Sequence, residues 1–251
     1  MKIALCVSGQ PRFYKKGFEQ LSKNVIIPNN CDVFLHCWYS EKDVGRYMVG
    51  GPWNDCNNQD IYTKEIPGNL ISLYQPKKHS LEENFFLDRS LDEKWKTYPL
   101  TNGSNLSQSL HSMFYSVKKS IKLCEEYEKE NNFKYDVIIR TRFDMGILDR
   151  LDICESAFTS SKTLYYLDLC NNKFVISDLL FWGSGQVIKD VCDVYDNIDA
   201  HIFDDECQLS GEGLFTYRAE RSKYRGQPIP RSGFLIRDND FSYPNAYGAL
   251  H

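Results

Sequence analysis

Tyr135-Asp136-Val137-Ile138-Ile139-Arg140-Thr141-Arg142-Phe143-Asp144 decides how the rest of the chain is read. A β-branched apolar run stops abruptly at two arginines and a carboxylate. The apolar part predicts a buried strand, and the charged part cannot stay buried unpaired, so it belongs at the strand's C-terminal lip. In open α/β sheets that lip is where ligands bind. Alternation along a strand puts Arg140, Arg142 and Asp144 on one face. Two cations and an anion there suit a phosphate-bearing ligand and a divalent metal.

The segments around this strand fit the same sheet. Asn105–Glu130 repeats Leu106, Leu110, Met113, Phe114, Val117, Ile121 and Cys124 at steps of three and four, the spacing of an amphipathic helix. Lys2–Val7 predicts a buried opening strand, followed by the tight loop Ser8-Gly9-Gln10-Pro11-Arg12. Phe13–Ile27 predicts a helix and Asp32–Trp38 a second strand. Ser40–Pro67 reads as a long irregular excursion, and its aromatic residues up to Trp53 as an acceptor lip. Asn69–Tyr74 predicts a third strand, and Lys77–Gly103 carries weak helix signals. Thr163–Leu169 and Lys173–Trp182 predict two strands joined at Cys170-Asn171-Asn172. Val187–Tyr195 and Glu206–Glu220 predict helices, and the segment from Arg225 is expected to wrap the surface. The expected fold class is α/β, a mixed and mostly parallel sheet flanked by helices in one domain. Residues 1–150 form its nucleotide-binding half and 151–251 its acceptor-binding half.

Bulk properties narrow the function. The 251 residues are 42% hydrophobic, enough for one large core. A formal net charge of −4, with basic residues scattered apart from Arg218–Arg231, argues against a nucleic-acid binder. Nine cysteines without a Cys-x-x-Cys pair argue against a zinc ribbon and for reduced thiols in a cytoplasmic compartment. No signal peptide and no apolar run of about 18 residues stands in the sequence, so no membrane span is expected, while peripheral membrane contact stays open. The P-loop, the dinucleotide glycine fingerprint, the GxSxG elbow and HExxH are all absent, which removes the common NTPase, dehydrogenase, hydrolase and zinc-protease readings.

Several motifs carry a specific likeness. Ser8-Gly9-Gln10-Pro11-Arg12 follows the opening strand, Ser112-Met113-Phe114-Tyr115-Ser116 lies within the long helix, and Tyr135–Asp144 has the form YDxxIRTRxD. Ser177-Asp178-Leu179-Leu180-Phe181-Trp182-Gly183-Ser184 comes later. With these motifs, over most of residues 1–185, the chain resembles a family of glycosyltransferases of bacterial surface-polysaccharide gene clusters and large viruses. The resemblance implies a GT-A-like fold, a nucleotide-sugar donor, a glycan acceptor and a role in polysaccharide biosynthesis. It implies that Ser8, Gly9, Gln10 and Arg12 receive the nucleotide, and that an Asp-x-Asp pair at a central strand holds metal and diphosphate. Here the first Asp of that pair is replaced by Arg142, which leaves Asp144 to hold Mn²⁺ or Mg²⁺.

The chemistry of glycosyl transfer points to the same residues. Charge on the departing diphosphate must be neutralised, which Arg140, Arg142 and a metal on Asp144 could do. An inverting transfer also needs a base for the acceptor hydroxyl's proton. Asp178 is the first candidate and Glu212 the second, ahead of Asp205 and Glu206. His36 and Trp38 close the second strand near the expected nucleotide pocket, where Trp38 could stack on a base or simply pack. Gln108 and Tyr115 could face the donor. Two other readings stay open: a non-catalytic nucleotide- or carbohydrate-binding protein with a degenerate site, and a nucleotidyltransferase.

Overall fold

The structure, a computed structural model, describes residues 1–48, 60–85, 87, 103–153, 161–168, 175–229 and 233–236. Its strands are β1 (Ile3–Gly9), β2 (Asp32–Trp38), β3 (Lys78–Glu82), β4 (Val137–Thr141), β5 (Met145–Ile147), β6 (Thr163–Leu167), β7 (Leu180–Ser184), β8 (Arg225–Ile229) and β9 (Gly233–Leu235). The main sheet has seven strands in the order β3-β2-β1-β4-β7-β6-β8. Strands β3, β2, β1 and β4 are mutually parallel, β7 is antiparallel to both β4 and β6, and β8 is parallel to β6. Only β7 therefore runs against the others. This is an α/β fold with a mixed, mostly parallel sheet, as the apolar runs predicted.

The parallel strands require crossovers, and the helices supply them. α1 (Tyr14–Leu21) links β1 to β2 and continues through a π-helical turn, Ser22–Ile26. α2 (Ile66–Tyr74) links β2 to β3. Both bury their apolar sides on one face of the sheet, with Val25, Ile66, Leu70 and Tyr74 against Leu5, Leu35 and Ile139. α3 (Gly103–Glu130) links β3 to β4 across the other face, where Phe114, Val117, Ile121 and Cys124 meet Ala4, Cys6, Phe34 and Ile138. α4 (Gly185–Cys192), α5 (Ile198–Phe203) and α6 (Gly211–Arg221) extend that second core. The chain thus leaves β1 on one side and returns as β4 on the other. That is a topological switch point, the place where sheets of this kind form a ligand crevice, here beyond the C-terminal ends of β1 and β4.

Three expectations are corrected. The segment Asn69–Tyr74 is the end of helix α2. Ile66, Leu70 and Tyr74 recur every four residues on its buried side, and Pro67 stands in its first turn, where a missing N–H costs nothing. The neighbouring edge strand is instead Lys78–Glu82, whose polar Lys-His-Ser-Leu-Glu sequence hides a strand, as edge strands often do. The segment from Arg225 does not simply wrap the surface: Arg225–Ile229 joins the sheet beside β6, and β9 pairs with β5. Strand Lys173–Trp182 shifts along the chain to Leu180–Ser184. The turn at Cys170-Asn171-Asn172, residues 49–53 of the expected lip and most of Lys77–Gly103 lie outside the described residues.

The loop after β4 is fixed from the α1 side. A Cβ on Gly17 would sit 1.7 Å from the Phe143 carbonyl oxygen, so α1 lies backbone to backbone against the Arg142–Asp144 turn. Downstream, buried Asn24 donates to the Ile147 carbonyl at 2.5 Å. Asn29 donates to the Leu151 carbonyl at 2.6 Å and accepts from the Ile153 amide at 2.8 Å. These asparagines serve as side-chain partners for a backbone that has left the main sheet. Gly17→Ala should cost about 2 kcal/mol or more in urea unfolding, because overpacking against backbone cannot be relieved by a rotamer change. An unchanged midpoint would contradict this packing.

Candidate active site

Two loops meet in the crevice. The first is Ser8–Phe13. Gly9 takes φ 119° and Phe13 takes φ 47°, both in the left-handed half of backbone space. The Phe13 amide donates to Asp60 Oδ2 at 2.7 Å, which anchors this turn from the segment before α2. Strain of this kind persists where surrounding contacts over-determine the backbone, and it is concentrated at functional sites. The turn delivers Arg12 to Asp144, with Nη2 3.2 Å from Oδ2.

The second loop follows β4. Arg142 grips Asp144 with two parallel hydrogen bonds, Nε to Oδ1 at 2.8 Å and Nη2 to Oδ2 at 2.9 Å. Asp144 is therefore held by two guanidinium groups, and its side chain is 7% exposed against 20% for Arg142 and 23% for Arg12. Burial raises the Asp144 pKa, but the charges of Arg142 and Arg12 and the hydrogen bonds outweigh it, and the carboxyl lies below its ordinary value. Burial lowers the Arg142 pKa, but Asp144 and then Asp178 more than compensate and move it up. Beyond Asp144 the chain forms β5, and the Ile236 amide donates to the Asp144 carbonyl at 2.9 Å, so β9 braces the loop.

Arg140 is the fully buried arginine of the set. The regular strand stops at Thr141, so alternation fails beyond that point. Arg140 faces the α3–α6 side, its guanidinium 5.7 Å from the Phe181 ring centre and 5.3 Å from that of Phe215. It is 1% exposed, and its Nε and Nη1 have no hydrogen-bond partner among the described residues. Burial lowers its pKa to about 10, with Asp178 the largest opposing influence. Two aromatic faces return only about 1–2 kcal/mol of such a cost. A buried cation whose donors are not all paired is energetically expensive.

The carboxylates Asp178 and Glu212 reach the same place from the other half of the chain. Because β7 runs antiparallel, the residues before it lie at the C-terminal edge of β4: Thr141 pairs with Leu180, and Thr141 Oγ1 donates to the Leu179 carbonyl at 3.1 Å. The Ile176 amide donates to Thr216 Oγ1 at 2.9 Å, which fastens this approach to α6. Ser210 caps α6, its Oγ accepting from the Gly213 amide at 2.9 Å, and Glu212 stands in the first turn. A Cβ on Gly211 would lie 3.0 Å from Asp178 Oδ2 and 2.8 Å from Met113 Cε, so the start of α6 lies close against both side chains. Burial, and then the charge of Asp178, push the Glu212 pKa up, while Arg142 partly offsets them.

Arg12, Arg140, Arg142, Asp144, Asp178 and Glu212 are thus brought together. Ser8 is buried behind them, and its Oγ has no hydrogen-bond partner among the described residues. Gly9 and Gln10 are half-buried in the turn. His36 is fully buried, bonded through Nδ1 to Ser116 Oγ at 2.7 Å, with Nε2 3.7 Å from Glu82 Oε1. Burial lowers its pKa to about 4, so it backs the site as a neutral ring. Trp38 stacks on Tyr115 at 5.3 Å and is buried, which settles its packing role. Gln108 spends its amide on Phe85 and Leu87 backbone groups, and the Tyr115 hydroxyl donates to Glu82 at 2.8 Å. Asp205 accepts from Tyr217 at 2.7 Å and lies 3.2 Å from His201, away from the cluster. The residues that brace the loops, Asp60, Asn24 and Asn29, were missed; the only hint was polar residues among the apolar ones of a helix.

The fit to a divalent cation is poor. Both Asp144 oxygens already accept from arginines, and its immediate surroundings are cationic. Among the described residues no group of three or more His, Cys, Asp or Glu is placed to hold a metal. Among them, too, no helix is long and apolar enough to cross a membrane.

No protein-family model matches the chain, and no curated protein does. Among solved structures, the chain is similar to the apo form of the glycosyltransferase GlyE of Streptococcus pneumoniae TIGR4, at 12% identity and a TM-score of 0.43, over 90% of this chain and 45% of that one. This chain thus spans less than half the length of that protein, and no residue here inherits a role from it.

The two kinds of carboxylate predict opposite pH effects. Asp144 has a folded pKa below its unfolded one, so its stabilisation is present above about pH 4 and is lost as pH falls through the folded value. Asp144→Asn should therefore cost about 3 kcal/mol at pH 7, less on acidification below pH 4. Glu212 has a raised folded pKa, so its ionised form opposes folding above about pH 4.3. Glu212→Gln should be more stable than the parent at pH 7 and indistinguishable near pH 4. Urea melts of both variants across that range check the signs.

Proposed function

We propose that this chain is a GT-A-like glycosyltransferase that moves a sugar from a nucleoside-diphosphate sugar to a hydroxyl of a glycan acceptor, acting in the cytoplasm in polysaccharide biosynthesis. One observation carries the reading. Three guanidinium groups gather at the switch-point crevice, and one of them, Arg140, is buried with Nε and Nη1 unpaired among the described residues. Guanidinium forks match phosphate oxygens. The strained Ser8–Phe13 turn supports placing the nucleotide above β1.

In this reading Arg12 and Arg142 meet the diphosphate as its charge grows, while Arg140 supplies a positive field from below. The Asp178–Glu212 pair lies on the acceptor side. Glu212, whose proton affinity is raised by burial and by the charge of Asp178, is the base for the acceptor hydroxyl. This reverses the order that the sequence suggested.

The test is transfer, or donor hydrolysis, over a panel of UDP- and GDP-sugars. Arg142→Ala should lower kcat/KM by about 10²-fold or more. Glu212→Gln should lower kcat by about 10²–10⁴-fold with little change in KM. Turnover close to that of the parent in both variants would remove the mechanism.

A further inference from the structure

We infer that Asp144 is the organiser of an arginine clamp rather than a metal ligand, so that this site neutralises a diphosphate with guanidinium groups alone. The inference rests on the diphosphate reading above and adds how the charge is met. It runs against the metal that an Asp-x-Asp site would hold.

Three observations carry it. First, both Asp144 oxygens are already engaged by cations. Arg142 takes one hydrogen bond to each oxygen, in the side-on fork geometry, and Arg12 adds a contact to Oδ2. A metal on Asp144 would stand directly beside two guanidinium groups and be repelled by both. Second, the residue two before Asp144 is itself Arg142, so the position that would supply a second carboxylate supplies positive charge. Oxygen-loving cations need several such ligands, and one carboxylate between two arginines does not provide them. Third, the clamp is built for repeatable geometry. The bidentate bond fixes the plane of Arg142, Gly17 presses α1 on the Phe143 carbonyl, and the Ile236 amide holds the Asp144 carbonyl from β9. Arg12 and Arg142 are the more exposed partners, and Asp144 is the more buried one. A carboxylate that orders two long cationic side chains lowers the entropy lost when they receive an anion.

The charge inventory agrees. Asp144 cancels one of the two charges of Arg12 and Arg142, and Arg140, which Asp178 partly offsets, adds positive charge behind them. With Asp178 and Glu212 toward α6, the positive charge is concentrated on the β1 side, where a diphosphate would meet it without a divalent ion.

The experiment is calorimetric titration of the whole chain with inorganic pyrophosphate, in EDTA and again in MnCl₂, together with a titration of MnCl₂ alone. We expect the two pyrophosphate dissociation constants to agree within about threefold, and MnCl₂ alone to give no saturable binding. Arg12→Ala and Arg142→Ala should each weaken binding in EDTA by about tenfold or more. Arg12→Lys and Arg142→Lys, which keep the charge and lose the fork, should fall between, and melting curves would confirm that each variant is folded. Binding that requires Mn²⁺, or tightens tenfold with it, overturns the inference and leaves a diphosphate site standing. Binding in EDTA that is indifferent to both arginines overturns it as well. No binding under either condition overturns the diphosphate reading and this inference together.

Discussion

Asp144 sits between Arg142 and Arg12, and the geometry of the crevice depends on that ion triad. One arginine comes from the loop after β4 and the other from the loop after β1. Those strands are neighbours in the sheet, paired from Ile3 and Val137 to Val7 and Thr141. The carboxylate therefore links the two loops that a topological switch point brings side by side. Without it, two guanidinium groups would face each other across the crevice, largely out of water. With it, the loops have a fixed separation. Removing one partner of such a buried set leaves an uncompensated charge, a cost of about 3–5 kcal/mol.

The fold supports this triad from both layers. On one face, α1 meets the Phe143 carbonyl with a glycine, and the buried asparagines hold the exit of the loop. On the other face, α6 begins at Gly211 directly on Asp178, which brings a second pair of acids to the edge where β7 enters the sheet. The reversed direction of β7 matters here. Run parallel, it would carry Asp178 to the far edge of the sheet. Arg140 stands between these groups, buried against Phe181 and Phe215, and it carries an electrostatic cost that packing alone does not return. The cluster is thus close to neutral in formal charge yet uneven in space, with cations toward β1 and acids toward α6. Such an arrangement suits an anionic leaving group on one side and a proton acceptor on the other.

Much of this was legible in the sequence, for reasons that can be stated. β1, β2 and β4 are buried on both sides, so they show as continuous apolar runs, and the long helix shows its period over seven turns or so. Asp178 and Glu212 could be named because acids near predicted strand ends and helix starts are few. Their proximity could not, since it depends on the direction of β7. The edge strand Lys78–Glu82 carries no apolar alternation to betray it, and α2 is short enough that an apolar run read as a strand. Strand geometry stops one residue before Arg142, so alternation along the strand does not set where Arg142 and Asp144 lie. Occupation of Asp144 by Arg12 joins residues 132 positions apart, and no local pattern reports such a pairing.

The most direct test of the account is a crystal structure of the protein with a nucleoside diphosphate in the presence of Mn²⁺. The account predicts phosphate oxygens within about 3 Å of the Arg12 and Arg142 guanidinium groups, with both arginines still on Asp144. A diphosphate seated elsewhere, or Asp144 turned away from the arginines onto a metal ion, would contradict it.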